Sequence, residues 1–239
     1  MAHKDKLGVL YGVGVGPGQP DLITLRAIRV LAEVDVVLAA SSSRNDYSLA
    51  HRIAAGHIPA TAEILRLEFP MTREAAALSE AWARNLEETA ALLRAGKNVA
   101  FITLGDPLIY STFGYLLAGI KKSYPEARVE VVPGITSYQA AAARTATVLC
   151  EDDQNLLLIS GVAGEPELRA SLEAADNAVI LKTYRNFPAI RSCLEKTGLD
   201  TIFASRLGLD NEMIHPNLAD APETPNYLSL VLATKKRDR

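Results

Sequence analysis

The chain has 239 residues, 49% of them hydrophobic and 22% charged, which is the balance of an ordinary globular protein with a sizeable core. The formal net charge of −3 argues against a general nucleic-acid binder, which would carry a basic excess, but leaves room for a local basic pocket. A polar start and the lack of any apolar run approaching roughly 18 residues predict a cytoplasmic protein without a membrane span.

Strands and helices alternate along the first half of the chain. Apolar Leu22, Leu25 and Ile28 have helical spacing, and Asp21 before them is a candidate N-cap. Such alternation is typical of a mainly parallel sheet with helices on its faces. The predicted strands are 7–15, 35–40, 63–69 and 98–104, and the predicted helices are 21–32, 47–55, 74–95 and 110–123.

The second half begins with the same alternation but ends differently. Its last three predicted strands follow one another without helices, which indicates antiparallel pairing and therefore a mixed sheet. We predict two α/β domains, 1–115 and 116–239. The predicted strands are 128–132, 155–160, 178–183, 201–206, 212–215 and 227–234, and the predicted helices are 138–143, 166–174 and 188–196.

Two turns that follow apolar strands are the strongest candidates for a ligand site. The strand 98–104 runs into Gly105-Asp106-Pro107, and the strand 128–132 runs into a turn that contains Gly134. Glycine permits a sharp turn or a close approach, and ligands of open α/β sheets bind at the carboxyl ends of strands. Asp106 is either a turn residue bonded to its own backbone or a carboxylate that faces a ligand. The hydroxyls of Thr136 and Ser137 could cap the next helix and meet the same ligand.

A glycine-rich loop, 12–18, follows the first predicted strand and suggests a dinucleotide site. Its spacing does not fit, because the third glycine of G-x-G-x-x-G would fall on Gln19 or on Pro17, and proline lacks the N–H that phosphate needs. Asp35 does stand near the ribose-binding position, so an NAD(P)-dependent oxidoreductase remains an alternative. A simple tight turn and a loop that lines a different cofactor are the other interpretations.

Other catalytic constellations are not indicated. The four histidines have no metal-ligand spacing, so no protein-bound metal is expected. Ser137 does not lie in a G-x-S-x-G motif, which argues against a hydrolase. The two cysteines, Cys150 and Cys193, are far apart and predict reduced, buried thiols. Basic residues in the loops could together hold an anionic substrate, since arginine matches carboxylates: Arg44, Arg52, Lys182, Arg185 and Arg206.

The order and spacing of three segments, 12–24, 104–107 and 132–137, resemble the tetrapyrrole (corrin/porphyrin) methylases. The resemblance spans nearly the whole chain. Leu10-Tyr11 and the segment 105–112 are most similar to the family members that methylate C20 of precorrin-2, or of its cobalt form cobalt-factor II, in cobalamin biosynthesis. A sibling methylase acting at another ring position, the oxidoreductase and a non-catalytic nucleotide-binding regulator remain alternatives.

The resemblance implies an S-adenosylmethionine-dependent homodimer with its cofactor in a cleft between the two domains. The proton that leaves C20 would pass to Asp106, to Tyr110 or to a carboxylate of the substrate, and the sequence does not choose among them. The implied cofactor residues are Pro17, Leu104, Gly105, Asp106, Ile109, Thr136, Ser137, Leu181 and Lys182. The candidate substrate residues are Tyr11, Arg44 and Arg185.

Arg44 is the first candidate for binding the anionic tetrapyrrole. Because local cations must overcome the repulsion from a net charge of −3, Arg44→Ala should raise KM for the tetrapyrrole. The affinity for S-adenosylmethionine should stay unchanged. Steady-state kinetics and a cofactor titration check both values, and an equal fall in cofactor affinity, or no change at all, would contradict the assignment.

Overall fold

The protein is described by a computed structural model that covers residues 7–41, 49–70, 72, 74–161 and 164–237. It divides into two compact units, Met1–Thr136 and Ser137–Arg239. The division therefore falls later than the predicted one after residue 115. The reason is that a helix at Phe113–Ser123 and a strand at Arg128–Val132 both belong to the first sheet and its cover.

The first unit is built on a five-stranded sheet in the order β3-β2-β4-β1-β5. Every neighbouring pair is parallel, as the alternation of strands and helices predicts. The three inner strands are largely buried, whereas β3 and β5 form the two edges. The strands are β1 Val9–Gly14, β2 Val36–Ser41, β3 Glu63–Glu68, β4 Val99–Thr103 and β5 Arg128–Val132.

Helices cover both faces of this sheet. The helices are α1 Leu25–Glu33, α2 Leu49–Ala54, α3 Ala75–Arg94 and α4 Phe113–Ser123. Buried residues of α1 and α2 pack against Val13 and Ile102 on one face. Buried residues of α3 and α4 pack against Leu10 and Phe101 on the other. Burial of these apolar side chains on both faces is what holds a parallel sheet together.

Two helices begin later than predicted. Asp21 does not cap α1, because residues 20–22 form a 3-10 turn and Thr24 Oγ1 accepts the bond from Ala27 N at 3.1 Å instead. The helix expected from Tyr110 begins at Phe113. Tyr110 itself has φ of +50°, which no α-helix accommodates.

The second unit contains a mixed five-stranded sheet in the order β6-β7-β10-β8-β9. Only β6 and β7 are parallel, and the antiparallel pairing predicted for the last three strands is confirmed. The strands are β6 Leu156–Ser160, β7 Asn177–Leu181, β8 Asp200–Ser205, β9 Met213–His215 and β10 Ser229–Thr234.

Three helices cover the second sheet, namely α5 Ser137–Thr145, α6 Glu165–Glu173 and α7 Phe187–Leu194. α6 and α7 contribute to one apolar cluster and α5 to another. Both cysteines are free thiols, and burial raises the pKa of Cys193 on α7. Across the described part of the chain, no helix has the length and apolar character needed to span a membrane.

Candidate functional site

Three glycine-containing loops converge where strands β1, β4 and β5 of the first sheet have their carboxyl ends. Strands β4, β1 and β5 are neighbours, and because they are parallel their carboxyl ends meet at the same edge. The loop after β1 and the loop after β4 are joined directly, since Gly105 N donates to Gly16 O at 2.8 Å. The two turns singled out from the sequence therefore lie beside the glycine-rich loop.

The approach of these loops leaves no space for a side chain at two positions. A Cβ atom on Gly14 would lie 2.4 Å from Gly105 O, and one on Gly134 would lie 2.1 Å from the same oxygen. Gly105 is different, because a Cβ there would come no closer than 3.7 Å to Thr136 Cα. Its φ of +64° is what favours glycine. Gly105 is therefore favoured by its backbone conformation, whereas Gly14 and Gly134 are required by the close approach of the loops.

Asp106 fixes two of the loops to each other. Its Oδ1 accepts a hydrogen bond from Leu108 N at 2.8 Å, and its Oδ2 accepts one from Gly134 N at 3.1 Å. The first bond is the turn interaction anticipated for this residue, and the second spans from the loop after β4 to the loop after β5. Both bonds use the carboxylate as an acceptor, so Asp106 holds the loops after β4 and β5 together.

The other predicted cofactor residues of the first unit are adjacent to these loops. Thr136 is buried beside Gly105, whereas Pro17 follows Gly16 and is half-buried. Leu104 packs against the cluster under α1 and α2, and half-buried Ile109 donates its N–H to Asp106 O at 3.4 Å. The structure therefore gathers this part of the predicted set at one sheet edge.

Tyr110 stands at the exit of the same loop. Its left-handed backbone conformation is uncommon for a non-glycine residue, and its side chain is 50% exposed. The next residue, Ser111, donates to Thr103 Oγ1 at 3.0 Å and accepts from Phe113 N at 3.2 Å, which anchors the start of α4. An exposed phenol held on an unusual backbone is the kind of outlier that motivates a functional hypothesis.

Tyr11 lies apart from the glycine loops. It precedes Gly14 by about 10 Å along β1 and pairs in register with Glu130 of β5. Burial raises the pKa of Tyr11, and the Glu130 carboxylate adds to this effect. Glu130 also forms ion pairs with Arg26, at 2.9 Å, and with Arg128. The structure thus places Tyr11 among packed and ion-paired groups, and its role in substrate binding stays a prediction.

The remaining predicted residues belong to the second unit or lie outside the described structure. Ser137 is the first residue of α5, and Leu181 is the last residue of β7. Lys182, which follows it, has a left-handed φ of +56°. Arg44 lies outside the described residues.

Arg185 is part of an aromatic cluster that the sequence did not indicate. Its Nε donates to Tyr184 Oη at 2.8 Å, a bond that raises the pKa of the guanidinium. The Tyr184 and Tyr227 rings lie 5.1 Å apart, and burial raises the pKa of Tyr227. Tyr227 comes from a distant segment, so only the folded sheet brings it to Arg185. Among the residues that the structure describes, no group of three or more metal-ligating side chains is assembled.

Residues 9–222 match the family model of the Tetrapyrrole (Corrin/Porphyrin) Methylases. The chain belongs to this family. The predicted resemblance is therefore confirmed, and the three glycine loops are those of a tetrapyrrole methylase.

Two relatives cover most of this tetrapyrrole methylase. It is 38% identical to the cobalt-precorrin-2 C(20)-methyltransferase of Salmonella typhimurium over 80% of both chains. It is 31% identical to the precorrin-2 C(20)-methyltransferase of Sinorhizobium sp over 98% of both chains. Its fold is similar to that of a uroporphyrin-III C-methyl transferase from Thermus thermophilus complexed with S-adenyl homocysteine, with a TM-score of 0.68, 24% identity, and 95% and 97% of the two chains covered.

Proposed function

We propose that this protein transfers a methyl group from S-adenosylmethionine to C20 of precorrin-2 or cobalt-factor II in cobalamin biosynthesis. The observation that carries the proposal is the similarity to two relatives named as C(20)-methyltransferases, one of them aligned along nearly the full length of both chains. The convergent glycine loops are the proposed cofactor site, and the mismatch with G-x-G-x-x-G weighs against the oxidoreductase.

The cofactor supplies an electrophilic methyl group on a sulfonium, and the protein's task is to hold donor and acceptor in line. Most of the rate should therefore come from positioning, with the reacting atoms about 3–3.5 Å apart. We assign the cofactor to the converging loops at Gly105, with Thr136 next to this residue. The Asp106 carboxylate adds negative charge to this edge, which suits a cation. Ser137, Leu181 and Lys182 are included from the family resemblance.

The tetrapyrrole should be held by cations, because its carboxylates are repelled by the net charge of the chain. Arg44 and Arg185 are the proposed contacts, and Tyr11 is a third candidate. Arg185 already has its Nε bonded to Tyr184, which would limit the motion of the guanidinium. A rigid guanidinium loses less conformational entropy when it binds a carboxylate.

After methyl transfer, C20 must lose a proton. Asp106 already accepts two backbone N–H bonds, so its carboxylate is engaged in holding the loops. Tyr110, with its side chain half-exposed at the loop exit, is the protein group that we propose as the acceptor. The phenol would first lose its own proton to solvent, and the phenolate would then take the C20 proton and return to the phenol. A carboxylate of the substrate could serve instead, and Tyr110→Phe separates these two routes.

We also propose that the protein is a cytoplasmic homodimer.

A methylation assay tests the proposed reaction. The purified protein is incubated with S-adenosylmethionine bearing a ¹³C methyl group and with precorrin-2 or cobalt-factor II in separate reactions. We expect the mass to rise by one methyl group, and the NMR spectrum of the product to place the label on C20. Label on another carbon would identify a sibling methylase, and no transfer to either macrocycle would overturn the proposal.

Ligand-induced stabilisation gives a faster prediction. A ligand at 100 times its Kd stabilises the folded state by about 2.7 kcal/mol, so S-adenosylhomocysteine at that ratio should raise Tm by about 5–10 °C. NADH at the same concentration should leave Tm unchanged. Differential scanning fluorimetry measures both shifts, and stabilisation by NADH alone would favour the oxidoreductase.

A further inference from the structure

One end of the second sheet carries two arginines. β7 and β8 both end there, and β10, which lies between them and is antiparallel to each, begins there. Arg185 closes a 3-10 turn soon after β7, and Arg206 directly follows β8. Neighbouring strands are about 4.8 Å apart, so β7 and β8 are separated by about 10 Å. Arg206, a loop cation predicted to bind an anionic substrate, has no part in the function proposed above.

Both guanidinium groups are held at one side and are not neutralised. Arg185 Nε donates to Tyr184 Oη at 2.8 Å, and Arg206 Nε donates to the backbone oxygen of Asp210 at 2.8 Å. Within the described ranges, neither arginine forms an ion pair with a carboxylate. Three other arginines of the second unit are paired with glutamates, namely Arg144, Arg169 and Arg237. The terminal Nη groups of Arg185 and Arg206 are therefore available to a carboxylate.

The backbone under the two arginines is fixed by one connected set of bonds. In the 3-10 turn after β7, buried Thr183 has its Oγ1 2.6 Å from Ser229 Oγ, and Ser229 Oγ donates to Asn226 O at 2.6 Å. Arg206 is tied to the same segment, because its backbone N–H donates to Leu228 O at 2.8 Å. Arg206 also has a left-handed φ of +54°, an uncommon conformation for a non-glycine residue that surrounding contacts must hold, and such outliers cluster at ligand sites.

Two guanidinium groups without acidic partners favour a ligand that has at least two carboxylates. S-adenosylmethionine has one carboxylate together with a sulfonium and an ammonium, so it is a net cation that two arginines repel. A tetrapyrrole has several carboxylates on the rim of its ring. Each of them matches a guanidinium through two parallel N–H···O bonds, which a lysine cannot provide.

We infer that Arg185 and Arg206 form one subsite for two carboxylates of the tetrapyrrole, with Tyr184 as a positioning residue for Arg185. This inference rests on the proposed function, and it adds Arg206 and Tyr184 to the residues that recognise the substrate. Tyr184 acts only through Arg185, because its hydroxyl occupies Nε and leaves both Nη groups to the ligand.

Removal of Arg206 tests the subsite. Arg206→Ala keeps the backbone N–H but removes charge-assisted bonds to a carboxylate, so Kd and KM for the tetrapyrrole should rise at least about tenfold. The turnover number and the Kd of S-adenosylhomocysteine should stay within about threefold of wild type. Arg206→Lys keeps the charge without the fork and should lie between the two. Arg84→Ala is the matched control, because it removes an exposed arginine of α3 from a surface ion pair, and it should change none of these values.

A double-mutant cycle tests the positioning role of Tyr184. Tyr184→Phe keeps the ring and removes the bond to Nε, so it should raise KM for the tetrapyrrole about threefold to tenfold. In the Arg185→Ala background, the same substitution should have no further effect. A purely structural tyrosine would instead lower stability and raise KM equally in both backgrounds, and that result would contradict the role.

An absorbance titration of the cofactor-free protein with precorrin-2 or cobalt-factor II measures the tetrapyrrole Kd without turnover. Binding is therefore measured even if methylation occurs at another carbon or fails, so the subsite and the proposed reaction are judged separately. Unchanged tetrapyrrole affinity in Arg206→Ala would overturn the inference. A fall confined to S-adenosylhomocysteine affinity would assign the arginine to the carboxylate of the cofactor and would overturn it as well. A wild-type protein that binds neither macrocycle would overturn both the subsite and the proposed function.

Discussion

Gly134→Ala should lower the free energy of unfolding of the protein by about 3 kcal/mol or more, and should weaken S-adenosylhomocysteine binding at least about tenfold. The new Cβ would lie 2.1 Å from Gly105 O and 2.8 Å from Gly14 Cα. Both are backbone atoms, so no side-chain rotation relieves the overlap, and the loops after β1, β4 and β5 must move apart. Gly134 does not adopt a positive φ, so lack of space alone accounts for the effect.

Gly114→Ala is the matched control for this substitution. Gly114 lies near the start of α4, and a Cβ there would meet nothing within 4 Å. Because alanine favours helix more than glycine does, stability should be unchanged or raised by up to about 1 kcal/mol, with ligand binding intact. Chemical denaturation and a binding titration on both variants provide the measurements. If Gly134→Ala binds S-adenosylhomocysteine as wild type does, the converging loops are not the cofactor site.

The features that sequence predicted well are those encoded locally. Apolar runs of strand length alternating with helical periodicity predicted both sheets, and the glycine and proline turns marked the loops after β1, β4 and β5. A turn depends on a few adjacent residues whose allowed backbone angles are known, so its position can be read directly from the chain. This is why the sequence alone predicts the loops that form the candidate site.

Contacts between distant segments were not predictable in the same way. The order β4-β1-β5 brings Asp106 within hydrogen-bond distance of Gly134 N, and no local pattern encodes that order. The same limitation explains the boundary after residue 136 and the missed pair of Tyr184 and Tyr227, which depend on packing and strand pairing. Tyr11 illustrates the same point, because the motif that suggests it as a site residue does not encode its pairing with Glu130.

Asp106→Ala should reduce S-adenosylhomocysteine affinity at least about tenfold and lower the free energy of unfolding by about 2–3 kcal/mol. The substitution removes both acceptors at once and leaves Leu108 N and Gly134 N without their observed partner. The loops after β4 and β5 would lose the direct bond between them. Asp106→Asn keeps one side-chain oxygen as an acceptor, so its affinity and stability should lie between those of Asp106→Ala and wild type.

The turnover number of Asp106→Asn distinguishes a loop-fixing carboxylate from a base. If Asp106 fixes the loops, kcat at saturating S-adenosylmethionine should stay within about tenfold of wild type while KM for the cofactor rises. A general base contributes about 10²–10⁴-fold, so a fall of that size in kcat with unchanged cofactor affinity would instead assign the C20 proton to Asp106.

Tyr110→Phe is the companion variant, because it removes only the phenol oxygen. We expect Tyr110→Phe to lower kcat by about 10²-fold or more without weakening S-adenosylhomocysteine binding. Wild-type turnover in Tyr110→Phe together with near-wild-type turnover in Asp106→Asn would leave the substrate's own carboxylate as the proton acceptor.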